Sequence, residues 1–348
     1  MSEPILIWGA GAIGGTLGAY WARAGHPVLM VDLVADHVRA ISAEGLSIEG
    51  PVAEFRQQVD AVTPDALTGV FKRIVLAVKA QHTAEACRML LPHLAEDGFV
   101  LSAQNGLNEL EIASIVGRER TMGAFVNFGA DWIGPGRVLY GNRGAVLVGE
   151  VDGSIGERTR AMHALLRDFD PDAILTDDIW SYLWGKLAYG AMLYATALNN
   201  DSMSDNFADP HRFAVFNRLG REVCSVAAVQ NVKPRGFNGF DPSAFTAGAG
   251  EAEARRSIAD LAEFNRYTAK THSGIWRDLA VRKRRTEVDA QLGIICELAR
   301  DSDIATPVLA EMIALIHRIE DGKLEQGSEA FNLLLDVARA AEAEKPGA

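Results

Sequence analysis

Cysteine is scarce in this chain, and the three that occur are scattered. Cys87, Cys224 and Cys296 form no Cys-x-x-Cys pair and no spacing that a metal ion would need. An odd, dispersed set of thiols points to a reducing compartment rather than to a disulfide-stapled secreted fold. Long hydrophobic runs are lacking too: no stretch approaches the roughly eighteen uninterrupted apolar residues of a membrane span. No leader pattern is read at the start, where an apolar run begins at Pro4 and passes straight into glycines, so the expected location is the cytoplasm. Positive charge is in deficit, with 34 Lys and Arg against 46 Asp and Glu, a formal net charge of −12. That balance argues against nucleic acid and anionic membrane as partners, and it leaves any acidic substrate to be drawn by local basic groups. No internal repeat is present.

What is there is ordinary globular text, 348 residues with 48% hydrophobic and 23% charged, which suits two domains better than one. The first half alternates short apolar runs with helical patterns. Residues 5–8, 27–31, 74–78 and 99–102 read as strands and residues 14–24 as a helix, which predicts a parallel sheet wound in right-handed crossovers. Residues 121–148 change to β-rich text with the turns Gly134-Pro135-Gly136 and Gly141-Asn142, expected as antiparallel additions to the sheet edge. From Asp178 onward the text is helical, with a strongly apolar helix over 179–199 and further helices over 213–229, 286–300 and 308–319. Pro307 suits a first helical turn, and the tail 341–348 reads as frayed. The fold class expected is therefore α/β: a Rossmann-type parallel-sheet domain over 1–177, then an all-helical substrate and catalytic domain over 178–348, with the boundary within 171–178.

The most specific local signal is Gly9-Ala10-Gly11-Ala12-Ile13-Gly14, a GxGxxG directly after a strand and at the mouth of a helix. The first glycine permits a tight turn, the second lets a pyrophosphate approach the backbone, and the third lets helix and strand pack closely. The ligand's charge then faces the open N–H groups and positive end of the helix. Asp32 follows the second strand, where a carboxylate accepts both ribose hydroxyls of NAD and repels the 2′-phosphate of NADP. A solvated loop aspartate would also fit that position, and Arg39 and Lys79 leave use of NADP open; the expected cofactor is NAD preferred, NADP allowed. Two further loops, Val78-Lys79-Ala80-Gln81-His82 and Ser102-Ala103-Gln104-Asn105-Gly106, open on the carboxyl edge of the sheet, so Lys79 and Asn105 are candidates to touch cofactor or substrate.

In the second half, Trp184-Gly185-Lys186-Leu187-Ala188 places one lysine in an otherwise apolar helix. Reduction of a ketone by hydride needs an acid for the developing alkoxide, and burial would bring a lysine pKa down toward the working pH. A lysine snorkelling from a core helix fits as well. The basic run Arg282-Lys283-Arg284-Arg285 reads as a solvated face or a local anion contact rather than a nucleic-acid patch. His82 and His272 lack metal-ligand partners at helical spacing, and no Gly-x-Ser-x-Gly elbow exists, so neither a metal site nor a nucleophilic serine is expected.

Over nearly its whole length the chain resembles the ketopantoate reductase (2-dehydropantoate 2-reductase) family. The resemblance rests on the residues from Gly9 through Gly14, on Val78-Lys79-Ala80, Gln104-Asn105-Gly106 and Gly134-Pro135-Gly136-Arg137-Val138, and on Trp184-Gly185-Lys186-Leu187-Ala188, Arg285-Thr286-Glu287-Val288-Asp289 and Ala305-Thr306-Pro307-Val308. It implies a Rossmann domain followed by a helical domain, an active site between them, and reduction of a 2-oxo acid to a 2-hydroxy acid with NAD(P)H, or the reverse. It further implies Lys186 as the general acid, Glu287 as a supporting carboxylate, Asn105 as the cleft asparagine, and Lys79 as a cofactor contact. Ser273 matches a serine that binds the substrate carboxylate, with Thr271 and His272 as close rivals. A homodimer is also implied. The chain departs from the family where asparagines usually stand four and eight residues after the lysine: Gly190 and Tyr194 occupy those substrate-side positions. The alternatives left open are a related dehydrogenase acting on a bulkier hydroxy acid, sugar acid or imine, and a non-catalytic NAD-sensing protein.

Overall fold

The computed structural model describes residues 3–237, 239–267 and 271–343, and the chain divides into two compact units after Ile179. The first unit runs β1 (Ile5–Trp8), α1 (Ala12–Arg23), β2 (Val28–Val31), α2 (Ala35–Glu44), β3 (Leu46–Glu49), β4 (Phe55–Gln57) and β5 (Asp60–Val62). It continues through β6 (Phe71–Leu76), α3 (Thr83–Leu90), β7 (Leu94–Ser102), α4 (Asn108–Val116), β8 (Thr121–Val126), β9 (Gly129–Gly134) and β10 (Arg137–Asn142). It closes with β11 (Val146–Glu150), α5 (Glu157–Phe169) and β12 (Ile174–Leu175).

Eight of these strands form one sheet in the order β12-β11-β8-β7-β6-β1-β2-β5, parallel throughout except that β11 runs antiparallel to β8. All four side chains of β1 are buried, as a central strand with both faces covered requires. The chain leaves β1 for β2 on one side and later returns to β6 on the other. The strand order therefore reverses at the carboxyl ends of β1 and β6, where an open α/β sheet offers its ligand crevice.

The text over 121–148 does not simply extend that sheet. β8 joins β7 in parallel and β11 adds antiparallel to β8, but β9 and β10 leave to form a second, four-stranded sheet in the order β4-β3-β10-β9. Alternation explains the departure: Leu46 and Ile48 of β3, and Val138 and Tyr140 of β10, point to one buried side. There Tyr20 of α1 meets Phe55 and Phe169 edge-on, with centroids 5.2 and 5.0 Å away.

The second unit is helical: α6 (Ile179–Thr196), α7 (Met203–Ala208), α8 (Phe213–Val229), α9 (Glu251–Arg266), α10 (Gly274–Ala280), α11 (Ile294–Asp301), α12 (Pro307–Glu320) and α13 (Ser328–Ala343). α6 stops three residues short of the expected end because Asn199 turns the chain, accepting the Asp201 N–H on its side chain at 3.0 Å. The expected helix over 286–300 is interrupted: a π-turn spans Asp289–Gly293 before α11 begins. Pro307 does open α12, whose first free N–H groups, those of Val308 and Leu309, are taken by the buried Glu222 carboxylate of α8 at 3.2 and 2.8 Å. Of the tail expected to fray, 341–343 end α13 and 344–348 lie outside the described residues.

Candidate active site

In the first unit, the loop between β1 and α1 has the shape its three glycines require. Gly9 sits at φ +96°, and a Cβ there would press on the Ala77 and Val78 backbone at 2.9 Å. A Cβ on Gly14 would lie 2.1 Å from the Gly9 carbonyl oxygen, so α1 can pack on β1 only through a glycine. Gly11 is different: a Cβ there meets nothing within 4 Å. The middle glycine thus faces open ground, at the N-terminal end of a twelve-residue helix whose first turn carries unbonded N–H groups. A dinucleotide pyrophosphate fits that cradle.

Asp32 directly follows β2 and holds the loop. One carboxylate oxygen accepts the Ala10 N–H at 2.9 Å and the other accepts the Val34 N–H at 2.9 Å. Arg39 is ion-paired with Asp36 on the exposed side of α2. The other two loops are tied together by a buried network that the sequence did not reveal. Gln104 donates to the Val78 carbonyl at 3.0 Å and to Thr83 Oγ1 at 2.8 Å. Asn108, buried at the start of α4, has its Oδ1 3.0 Å from Thr83 Oγ1 and donates to the Asn105 carbonyl at 2.7 Å. Lys79 and Asn105 themselves are exposed at these two loops, on the carboxyl side of β6 and β7.

In the second unit, the accessible residues of α6 are Trp180 near its start and then 182, 186, 190 and 193, and these last four share one stripe of the helix. Lys186 and Gly190 share that stripe, and a Cβ on Gly190 would meet nothing within 4 Å. Gly185 has the opposite role. A Cβ there would come 1.9 Å from the Arg235 carbonyl oxygen, and the Arg235 N–H donates to the Ser181 carbonyl at 2.8 Å. The glycine before the lysine is what lets this segment lie against α6.

Tyr194 is turned away from the stripe and is 1% exposed. Its hydroxyl donates to Gln291 Oε1 at 3.5 Å, and burial, then the negative charge of Glu287, holds its phenol well above the ordinary range. Gln291 of the π-turn is thus the hydrogen-bond partner of Tyr194, and the Glu287 charge is near enough to act on the phenol. Glu287 is half-buried, and the residues before it are anchored. Thr286 gives its N–H and its hydroxyl to Glu320 Oε1 at 2.7 and 2.8 Å, and Arg285 pairs with Glu320 and Asp321. Arg282 and Arg284 both pair with Asp278, so three of the four basic residues there are spent inside the unit. Ser273 is 2% exposed and caps α10, its Oγ accepting the Trp276 N–H at 3.1 Å. Thr271 and His272 bond to each other at 2.9 Å, and His272 faces the Asn200 carbonyl at 3.2 Å. Burial pushes the Cys87 and Cys224 thiols up to about 12, which leaves neither as a nucleophile.

Among the described residues no helix is long and apolar enough to cross a membrane, and no cluster of three or more His, Cys, Asp or Glu could hold a metal ion. Residues 5–153 match the family described as Ketopantoate reductase PanE/ApbA, and residues 178–320 match its C-terminal counterpart. The chain belongs to the ketopantoate reductase family. It is therefore an NAD(P)-dependent oxidoreductase. A 2-dehydropantoate 2-reductase of Aquifex aeolicus (strain VF5) is 27% identical over 344 residues, covering 96% of this chain and 99% of its own. A PanE/ApbA family ketopantoate reductase from Ralstonia eutropha JMP134 is 25% identical, with a TM-score of 0.77 over 92% of this chain and 99% of its own. D-mandelate dehydrogenase with NADH and anilino(oxo)acetate, at 22% identity, shares the fold with a TM-score of 0.78 over 92% of this chain and 98% of its own.

Proposed function

We propose that the protein reduces a 2-oxo acid to the corresponding 2-hydroxy acid, with NADH preferred over NADPH. The observation that carries this reading is Lys186 on the accessible 182–193 stripe of α6, in a chain that matches the ketopantoate reductase family in both halves. A nicotinamide, when bound, supplies the hydride that reduces the carbonyl carbon. Lys186, as an ammonium, then gives a proton to the carbonyl oxygen, so that a neutral amine and an alcohol result. Glu287 supports the charge and orientation of the lysine and substrate, Asn105 positions the acid, and Lys79 contacts the cofactor, while Ser273, buried as the cap of α10, is left to hold that helix rather than the substrate. Asp32 supports the NADH preference: its charge stands at the end of β2 where a 2′-phosphate would have to lie, and Arg39 is already paired with Asp36. A homodimer, implied by the family resemblance, is read directly by sedimentation.

A second reading keeps the chemistry and changes the substrate. Gly190 leaves open space on the stripe that carries Lys186, which favours a 2-oxo acid with a bulkier side chain than ketopantoate. The test of both is oxidation of NADH and of NADPH by the purified protein, with ketopantoate beside branched and aromatic 2-oxo acids. Turnover of ketopantoate supports the first reading and turnover of larger acids alone supports the second. Binding of NADH without turnover of any acid would contradict both and favour a cofactor sensor.

A further inference from the structure

We infer that His37 is a positioning residue for the cofactor, fixing the glycine-rich loop from a sheet that carries none of the expected site residues. The inference rests on the reading of the β1–α1 loop as a dinucleotide site. His37 stands in the first turn of α2 and is 1% exposed. Its Nδ1 lies 2.9 Å from the Gly136 backbone nitrogen and 3.3 Å from Trp132 Nε1. Both of those groups are N–H donors with no lone pair to offer, so Nδ1 must be the acceptor and the ring proton must sit on Nε2. That Nε2–H then donates to the Ala10 carbonyl at 2.8 Å.

The Ala10 residue, between the first two glycines, is thus held on both sides of its own Cα. Its N–H goes to Asp32 and its carbonyl to His37. The far end of the strap is equally fixed. Gly136 occupies φ +67°, which aims its N–H, and its carbonyl accepts the Ser47 N–H of β3 at 2.9 Å. Through His37 the turn between β9 and β10 therefore sets the orientation of the peptide groups that face a pyrophosphate. A histidine that merely satisfied the core would, when replaced, lower stability without a selective effect on cofactor affinity.

That difference gives the test. An asparagine places its amide near the Nδ1 position and keeps the Gly136 bond; a glutamine reaches the Nε2 position and keeps the Ala10 bond. The dissociation constant for NADH is measured by fluorescence titration of the wild type, His37→Asn and His37→Gln, alongside their thermal midpoints. Loss of the Ala10 bond in His37→Asn raises the constant about tenfold, and His37→Gln stays within about threefold of wild type at a similar midpoint. Equal affinity of the two variants, or wild-type affinity in His37→Asn, would overturn the inference. Should His37→Asn not fold, Trp132→Phe withdraws one donor from Nδ1 at a half-exposed position. A rise of about two- to threefold supports the strap and an unchanged constant overturns it. A wild-type protein that binds neither NADH nor NADPH would instead remove the dinucleotide reading itself, and this inference with it.

Discussion

Asp32 accepts the backbone N–H of Ala10 at 2.9 Å, so the carboxylate expected to recognise a ribose is also a strut of the loop expected to receive the pyrophosphate. Removing it has two consequences. In Asp32→Ser, NADH binding weakens by about tenfold from the lost charged hydrogen bonds, while NADPH is relieved of repulsion. The ratio of the two dissociation constants shifts toward NADPH. An unchanged ratio would show that Asp32 does not discriminate.

Two glycines of the same loop separate folding from binding. Gly14→Ala drives a methyl to 2.1 Å from the Gly9 carbonyl and lowers stability by about 1–3 kcal/mol or more, read from thermal or urea unfolding. Gly11→Ala meets no protein atom, so its unfolding midpoint matches the wild type while NADH affinity drops at least about tenfold. Normal NADH binding by Gly11→Ala would place the pyrophosphate elsewhere.

Gly190→Asn restores the residue type that the family resemblance implies, into space that is open. The variant folds like the wild type, and its kcat/KM ratio for ketopantoate over aromatic 2-oxo acids rises about tenfold or more, since pocket occupancy is worth about 1–3 kcal/mol. A substrate profile identical to wild type would remove position 190 from the pocket.

The buried Tyr194 phenol titrates well above its usual value, chiefly from burial and then from Glu287. A group whose pKa is raised on folding gives stability that is whole below the unfolded value, near 10, and lost as the pH climbs toward the folded one. Unfolding of wild type and Tyr194→Phe is compared at pH 8 and pH 11. Wild type loses more stability over that interval than the variant. Equal losses would mean that the hydroxyl is not buried as described.

The glycine-rich loop, Asp32 and the Lys186 helix were legible because each is a local pattern, a residue type at a fixed distance from a strand or helix end. The second sheet was not, because β3 and β10 are paired across about ninety residues and only their alternation hints at a shared face. For the same reason Thr83, Asn108 and His37 escaped notice: each is a polar residue whose partner lies far along the chain. Tyr194 stands where the family resemblance implies a substrate-side asparagine, and burial against Gln291 is not visible from that position alone. The π-turn that follows Glu287, which a simple helical period cannot announce, contains that glutamine.

The central claim is that Lys186 supplies the proton, and one variant tests it most directly. Lys186→Ala is assayed for NADH oxidation with the best 2-oxo acid found, beside its NADH dissociation constant. Turnover falls by about 10²–10⁴-fold while NADH binds as in the wild type. Near-normal turnover in that variant would contradict the mechanism.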